Sequence, residues 1–286
     1  MLPTNNEISV RPAEDKDRSQ LANMMHFETQ VHRHLDWKPP LDWLGDEPYM
    51  IAEKAGKIVA ALACPPSPPS VAWIRMFAST KRAPAEEAWD LLWPPTQKYL
   101  SQLPNISVAA IPLQAWFQEL LANNGFSHVH NVIVLLWDNK NVLLPESKSV
   151  CRIRPMKMGE IPDVVKIDQS AFGPIWQNSV DGTACALEQS AYATVAEVDN
   201  KIVGYQISTP SPFGAHLARL AVDPSAQGMG IGYSIVRDLQ AQYEGGGNRR
   251  ISVNTQDHNF ASLALYKKAG FLPTSEAYPV YQFTMN

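Results

Sequence analysis

The sequence predicts an α/β fold, a mixed α+β sheet packed with helices, built twice in tandem. Three observations carry that expectation. Landmarks recur at a nearly constant offset. Arg11-Pro12 and Arg154-Pro155 lie 143 residues apart, and Ala52-Glu53 with Lys57-Ile58-Val59 matches Ala196-Glu197 with Lys201-Ile202-Val203 at 144. Ile106-Ser107-Val108 matches Ile251-Ser252-Val253, and Gly125-Phe126 matches Gly270-Phe271, both at 145. Second, short apolar runs bounded by turn residues alternate with amphipathic segments, the pattern of buried strands and surface helices. Third, one such run, His216 to Val222, is stopped by Asp223-Pro224 and leads through a glycine-rich turn into an apolar stripe at Ile231, Ile235, Leu239 and Tyr243, the spacing of one helix face.

Each copy reads in the same order. Strands at Ile8–Pro12 and Arg152–Pro155 open the two halves, followed by helical regions over about 15–27 and 159–172. Two strands then meet at a tight turn, Ala55-Gly56 in one copy and Asp199-Asn200 in the other. Proline-rich connections follow, Pro65-Pro66-Ser67-Pro68-Pro69 and Thr209-Pro210-Ser211-Pro212, placed outside central strands because proline has no ladder donor. A fourth strand, a loop, a long helix, a fifth strand, a second helix and C-terminal strands complete each copy. The polar stretch Leu144-Pro145-Glu146-Ser147-Lys148-Ser149 reads as the linker. The expected domains are 1–143 and 150–286.

Composition narrows the function. A chain of 286 residues with 45% hydrophobic and 18% charged content is long enough for two folded domains with real cores. A formal charge of −4 argues against general nucleic-acid binding and favours a cationic partner such as an amine. Three widely spaced cysteines, Cys64, Cys151 and Cys185, show no metal pairing and fit a reducing compartment. Met1 to Glu7 has neither a basic segment nor an apolar core, so no signal peptide is expected. No apolar run approaches membrane-spanning length, and a cytoplasmic location is expected.

The turn Gln227-Gly228-Met229-Gly230-Ile231-Gly232 has the make-up of an anion site. Free N–H groups and the positive end of the dipole stand at a helix N-terminus, and glycines admit both positive φ and close approach. In this setting, after Leu220-Ala221-Val222-Asp223-Pro224, the turn resembles the coenzyme A pyrophosphate loop of the GNAT superfamily of N-acetyltransferases. The strand Arg250–Asn254 and the segment Asn259 to Phe271, ending Leu265-Tyr266-Lys267-Lys268-Ala269-Gly270-Phe271, resemble that superfamily's later motif in order and spacing. The resemblance covers the second half strongly and the first weakly. It implies acetyl-CoA as cofactor and transfer of an acetyl group to a primary amine of a small molecule or peptide.

Residue by residue, the resemblance assigns the pyrophosphate to Gln227, Gly228, Met229, Gly230, Ile231 and Gly232. It assigns the pantetheine arm to the backbone of Leu220, Ala221 and Val222, where an N–H can polarise the acetyl carbonyl. Asn254 and Asn259 fall at cofactor-binding positions, although Asn259 also suits a helix N-cap. Tyr266 is the candidate general acid, its alternative being a half-buried helix aromatic; a phenol's pKa of about 10 is near a thiol's. Two positions where relatives carry a glutamate base hold His216 and Asn254 instead. His216 is neutral and basic near its ordinary pKa of about 6.5, and its alternative is a polar residue at a strand entrance. A water chain to Glu188, Glu197 or Asp168 is the other route for the proton.

In the first copy the turn falls on Ala83 to Ala88, without glycine and with Glu86 and Glu87 at the helix start; Gln114 and Leu121 stand for Asn259 and Tyr266. No cofactor is expected there, and the copy is left to packing or acceptor recognition. His32-Arg33-His34 and His128-Val129-His130 lack metal-site spacing, so no metal is expected, and the second pair is expected to face solvent. Trp73, Trp89, Trp93 and Trp116 are expected in the first domain's core or at the domain interface, or, where exposed, lining a substrate cleft. Two other readings remain open: a non-catalytic acyl-CoA-binding or scaffolding protein, and a tandem acyltransferase of small-thiol or amino-sugar synthesis.

Overall fold

The repeat is written into the structure as two units with matching parts. A computed structural model describes residues 7–138, 144–147, 151–244 and 249–285. Residues 1–6, on which the leader reading rests, and Lys148 and Ser149 of the expected linker lie outside them. One unit comprises residues 1–129 and 279–286, the other 130–278. The sequence halves 1–143 and 150–286 therefore do not coincide with the compact units, because each unit takes in a strand segment beyond its own half.

In the first unit β1 (Ser9–Pro12), β3 (Tyr49–Lys54), β4 (Lys57–Ala63), β6 (Met76–Ser79) and β2 (Gln30–Arg33) form one sheet in the order β1-β3-β4-β6-β2. Strand alternation gives this sheet two buried faces. Ile51, Ala61, Ala63 and Met76 pack with Leu21 and Met24 of helix α1 (Arg18–Phe27). Ala52, Ala60, Leu62 and Phe77 pack with Trp89, Leu92 and Trp93 of α2 (Ala85–Leu100) and with Phe117 and Leu121 of α3 (Ala115–Asn123). Short β5 (Val71–Trp73) runs parallel to β7 (Ser107–Ala110), whose other edge pairs with Tyr281–Thr284. Trp73, Trp89 and Trp93 are buried, and Trp116 packs against the core that holds Trp89 and Trp93.

The second unit repeats the plan. Antiparallel β9 (Arg152–Pro155), β10 (Tyr192–Val198), β11 (Lys201–Ser211) and β12 (Gly214–Val222) are followed by β13 (Arg250–Gln256), parallel to β12. The later half of β8 (Ser127–Asp138) pairs antiparallel with β13. Helices α4 (Ile161–Ala171), α5 (Val180–Glu188), α6 (Ile231–Ala241) and α7 (Phe260–Lys268) precede the last strand, β14 (Leu272–Thr284). The expected stripe is the buried face of α6: Ile231, Ile235 and Leu239 are each no more than 1% exposed.

Small devices are duplicated too. Both hairpins turn through positive φ, at Ala55 and Gly56 and at Asp199 and Asn200, and each carries a register shift just before, at Ala52/Glu53 and Ala196/Glu197. Arg11 clamps Asp17 and Glu53 as Arg154 clamps Glu160 and Glu197. One expectation needs correction. Thr209-Pro210-Ser211 is not a loop but the end of β11, with Pro210 opposite Ala215. Pairing of β10 to β11 stops at Tyr192 with Ser208, so Pro210 lies where no ladder needs its missing N–H.

Candidate active site

The site grows from the point where β12 and β13 part. They pair from Gly214 with Arg250 to Leu217 with Val253 and no further. Beyond that, β12 keeps β11 on one side and β13 keeps β8 on its far side. The facing edges of Ala218–Val222 and Asn254–Gln256 thus diverge, and β12 presents backbone donors and acceptors that no neighbouring strand takes. At the same point the β11–β12 register shifts: Ile207 faces Arg219 and Ser208 faces Leu217, leaving Ala218 as the extra residue of a bulge.

The strand ends at the glycine turn. Asp223 accepts from the Ser225 N–H at 2.8 Å, and Gln227 Nε2 donates to the Val222 carbonyl at 3.1 Å. Gly228 and Gly230 have φ of 78° and 82°, a left-handed conformation costing a residue with a Cβ about 1–2 kcal/mol. Gly230 is the N-cap of α6, and the first intrahelical bond there runs from Ser234 N to the Gly230 carbonyl at 3.0 Å. The N–H groups of Ile231, Gly232 and Tyr233 have no intrahelical acceptor. No side chain crowds Gly228, and a Cβ on Gly232 would meet Leu265 at 3.3 Å. Uncharged donors, bare glycines and no carboxylate between Pro224 and Ser234 fit a diphosphate. Of the other turn residues, Met229 is exposed and Ile231 buried in the helix face. Leu220 lies on β12 with Ala221 and Val222, which are both buried.

The polar residues divide by neighbourhood. Tyr266 is 4% exposed, packed on Phe271, and burial raises its pKa while the charge of Arg219 works against the rise. It is a protonated phenol at neutral pH. His216, on β12 opposite Ser252, has Nδ1 2.9 Å from the Ser252 hydroxyl; burial lowers its pKa. The imidazole is therefore neutral at pH 7 and keeps a basic nitrogen. Asn259 caps α7, its Oδ1 accepting from Ser262 N at 3.1 Å. Asn254 is exposed on β13, where its backbone pairs with Val134.

Of the carboxylates considered for a proton route, Glu197 is held by Arg154, Glu188 is exposed at the end of α5, and Asp168 is fully buried. Asp168 accepts from Tyr205 Oη, from the Asn178 N–H at 2.8 Å and from Arg219 Nε at 2.7 Å. Arg219 also donates to the Trp176 carbonyl and lies 3.7 Å from the Phe172 ring. This network ties the 172–178 segment to the bulge of β12. Sequence reasoning missed Arg219; its signal was a lone cation inside an apolar strand run. His130, expected to face solvent, packs instead against Trp176 and His258, with ring centroids 5.6 and 4.8 Å away. Only His128 of that pair is exposed. Among the described residues no three His, Cys, Asp or Glu side chains are grouped to hold a metal, and no helix is long and apolar enough to cross a membrane.

Comparison with known proteins converges on this half. The Acetyltransferase (GNAT) family matches residues 161–271, the stretch holding the bulge, the turn and Tyr266. The chain is 28% identical over 142 residues, 44% of its length, to a phosphinothricin N-acetyltransferase of Alcaligenes faecalis, 72% of which is covered. In fold, it matches a tandem GNAT protein of the clavulanic acid biosynthesis pathway (TM-score 0.60, 14% identity, 98% of this chain and 99% of that one). It also matches a GCN5-related N-acetyltransferase of Sphaerobacter thermophilus (TM-score 0.59, 14% identity, 99% and 96%). GNAT enzymes generally use acetyl-CoA, and the matched stretch contains the parted edge of β12 and the glycine turn. Residues 161–271 carry an acetyltransferase domain of the GNAT family, and the fold of the whole chain matches that of a tandem GNAT protein.

Proposed function

We propose that the second unit binds acetyl-CoA between the parted edges of β12 and β13 and moves its acetyl group to a primary amine of a small molecule or peptide. The observation that carries this reading is that β12 and β13 stop pairing after Leu217 and Val253 beside the Gly228–Gly232 turn. The N–H groups of Ile231, Gly232 and Tyr233 hold the diphosphate, with Gln227 bracing the turn and Met229 bordering it. The open edge of Leu220, Ala221 and Val222 pairs with the pantetheine arm. Asn254 borders the arm from β13, and Asn259 sets the start of α7.

Acetyl-CoA supplies the thioester carbonyl that the amine attacks. His216, uncharged, takes the proton the ammonium must lose, relayed with the Ser252 hydroxyl. Tyr266, protonated, delivers a proton to the departing sulfur. Arg219, held by Asp168, fixes the 172–178 segment that borders the acceptor. The first unit binds no acetyl-CoA, since the corresponding turn has no glycine and carries Glu86 and Glu87.

Isothermal titration of the intact protein with acetyl-CoA, beside a Gly230→Glu variant, tests the reading. One site per chain is expected. In the variant, left-handed strain and a carboxylate against the diphosphate weaken binding by at least roughly 1,000-fold, about 4 kcal/mol. Two sites per chain, or unchanged affinity in the variant, would overturn the assignment.

A further inference from the structure

The second unit does not use the buried polar cluster of the first, and the acetyl-transfer chemistry does not call on it. His34 donates its backbone N–H to the Arg75 carbonyl at 2.9 Å, so the two residues face each other where β2 runs on beside the break between β5 and β6. His32 lies in β2 and His34 just past its end, with exposed Arg33 between them. His34 stacks on Trp73 at 4.7 Å and His32 on Phe117 at 4.2 Å. The Arg75 side chain is 6% exposed, with Nη1 2.7 Å from the Asp36 carboxylate and its guanidinium 4.6 Å from the Trp43 ring.

Three polar atoms in this cluster are buried without a hydrogen bond: Arg75 Nε, His34 Nδ1 and His32 Nδ1. Each such orphan costs a folded protein about 1–3 kcal/mol, so three on neighbouring residues call for an explanation. Their chemistry is specific. His32 Nε2 sits 3.2 Å from the Ile74 carbonyl, so that nitrogen carries the ring proton and Nδ1 is a bare acceptor. Arg75 Nε is always a donor. Asp36 engages only Nη1, and Nη2 has a long 3.4 Å contact with the Ser67 carbonyl. The Nε–Nη2 edge is thus the side of the fork that fits a carboxylate through two parallel bonds.

We propose that Arg75, His34 and His32 form a second ligand site, distinct from the acetyl-transfer site, for a small carboxylate bearing a neighbouring O–H or N–H donor. The carboxylate takes the Nε–Nη2 edge of Arg75, and the hydroxyl or amine donates to the open histidine nitrogens. Trp73 and Trp43 give the site flat apolar walls. Leu35, 75% exposed, and Asp36 stand at its mouth, so the ligand enters by displacing the 35–36 segment and not through the core. An α-hydroxy or α-amino acid has the required pair of groups; acetate has the carboxylate alone.

The test is calorimetric titration of the full chain, without acetyl-CoA, with glycolate, lactate, glycine and serine, and with acetate and inorganic phosphate as controls. At least one hydroxy or amino acid should saturate a single site, about tenfold or more tighter than acetate. Arg75→Lys should weaken it by about tenfold or more. His34→Phe, which keeps the stack on Trp73 and removes only the ring nitrogens, should do likewise, and it serves as the readout should Arg75→Lys fail to fold. Acetyl-CoA affinity should be unchanged in both, so that the two sites succeed or fail separately. The proposal falls if no member of the panel saturates below about 10 mM, if acetate or phosphate binds as tightly, or if both variants bind as the parent does. A crystal structure grown with the panel that shows only an ordered water on these atoms overturns it as well.

Discussion

In the second unit, β12 continues past Leu217 without a partner on its β13 side, and a glycine turn stands at its end. The first unit contains the same crossing: Val71 pairs with Ser107 as Gly214 pairs with Arg250, an offset of 143 at both positions. There the edge corresponding to Arg219–Val222 is β6, Met76–Ser79, and it is occupied. Gln30, Val31, His32 and Arg33 zip onto it as β2. The chain has thus filled with its own backbone the edge that its other half leaves open. Loss of the glycines and filling of the slot are separate events, and the second is the stronger barrier. Acidic side chains at Glu86 and Glu87 can be mutated away, whereas β2 contributes a run of backbone hydrogen bonds and the buried His32. Restoring glycine at Pro84, Glu86 and Ala88 should therefore create no second acetyl-CoA site by calorimetry. A second site in that variant would show that the turn alone had been limiting.

The largest expected difference between the units lies in their response to acid. Burial pushes His32 from its ordinary 6.5 down to about 4, and His34 moves in the same direction. Below pH 6.5 the unfolded chain binds protons at these rings that the folded unit refuses, so stability falls as pH drops from 6.5 towards 4. For His32 alone the loss amounts to roughly 3 kcal/mol. Denaturant unfolding followed by the tryptophan fluorescence of the first unit should show that slope. His32→Phe, which preserves the ring stack on Phe117 while stranding the Ile74 carbonyl, should be less stable at pH 7 yet lose less on acidification. An unchanged slope in the variant would mean that His32 is not the source.

Next in size is Tyr266, whose counterpart in the first unit is Leu121, buried at 0% exposure. The same helix position is thus an apolar plug in one unit and a buried phenol in the other. Tyr266→Phe should lower kcat by about 100-fold, the range for loss of a general acid, with acetyl-CoA affinity little altered. If affinity falls and kcat does not, the phenol is a packing group like Leu121.

How much of this the sequence revealed follows from how local each feature is. The glycine turn, the two hairpin turns at Ala55-Gly56 and Asp199-Asn200, and the stripe on α6 are set by residues within a few positions of one another, and the repeat made each visible twice. Tyr266 was legible through its motif. The filling strand was not. Gln30-Val31-His32-Arg33 shows no clear alternation, and its partner lies more than forty residues away, so nothing nearby marks it as a strand. Asp168 was read only as one of three carboxylates on a possible proton route, and only the fold brings it together with Arg219 and Tyr205. The proline segment 209–211 misled because the rule against proline in strands holds only where a neighbour needs the N–H, and β10 ends before it.

A smaller effect is expected from His216, whose counterpart at the 143 offset is Trp73. Desolvation lowers the pKa of His216. The base form therefore persists below pH 6.5, and activity should fall only as pH drops through that lowered value. The acid limb of kcat/KM, which reports the free enzyme, should lie below 6.5. His216→Gln should flatten that limb and reduce kcat/KM at pH 7 by about tenfold. A parent limb at or above 6.5, or one that survives in the variant, would assign the proton to another group.

The smallest expected signal bears most directly on the two edges. Strand amides alternate in direction, so about two of the N–H groups in Ala218–Val222 point towards the parted side of β12. With no strand to receive them, they should exchange with deuterium readily in the free protein. Saturating acetyl-CoA should slow them, a difference of about two deuterons in a peptide covering 218–222. The peptide covering Met76–Ser79 should start out protected, because β2 already pairs with it, and should not change when acetyl-CoA is added. Slowing in both peptides would mean that the first unit also admits the cofactor and that β2 yields its place. Protection of 76–79 with none gained at 218–222 would instead mean that the parted strands of the second unit are not where the arm lies.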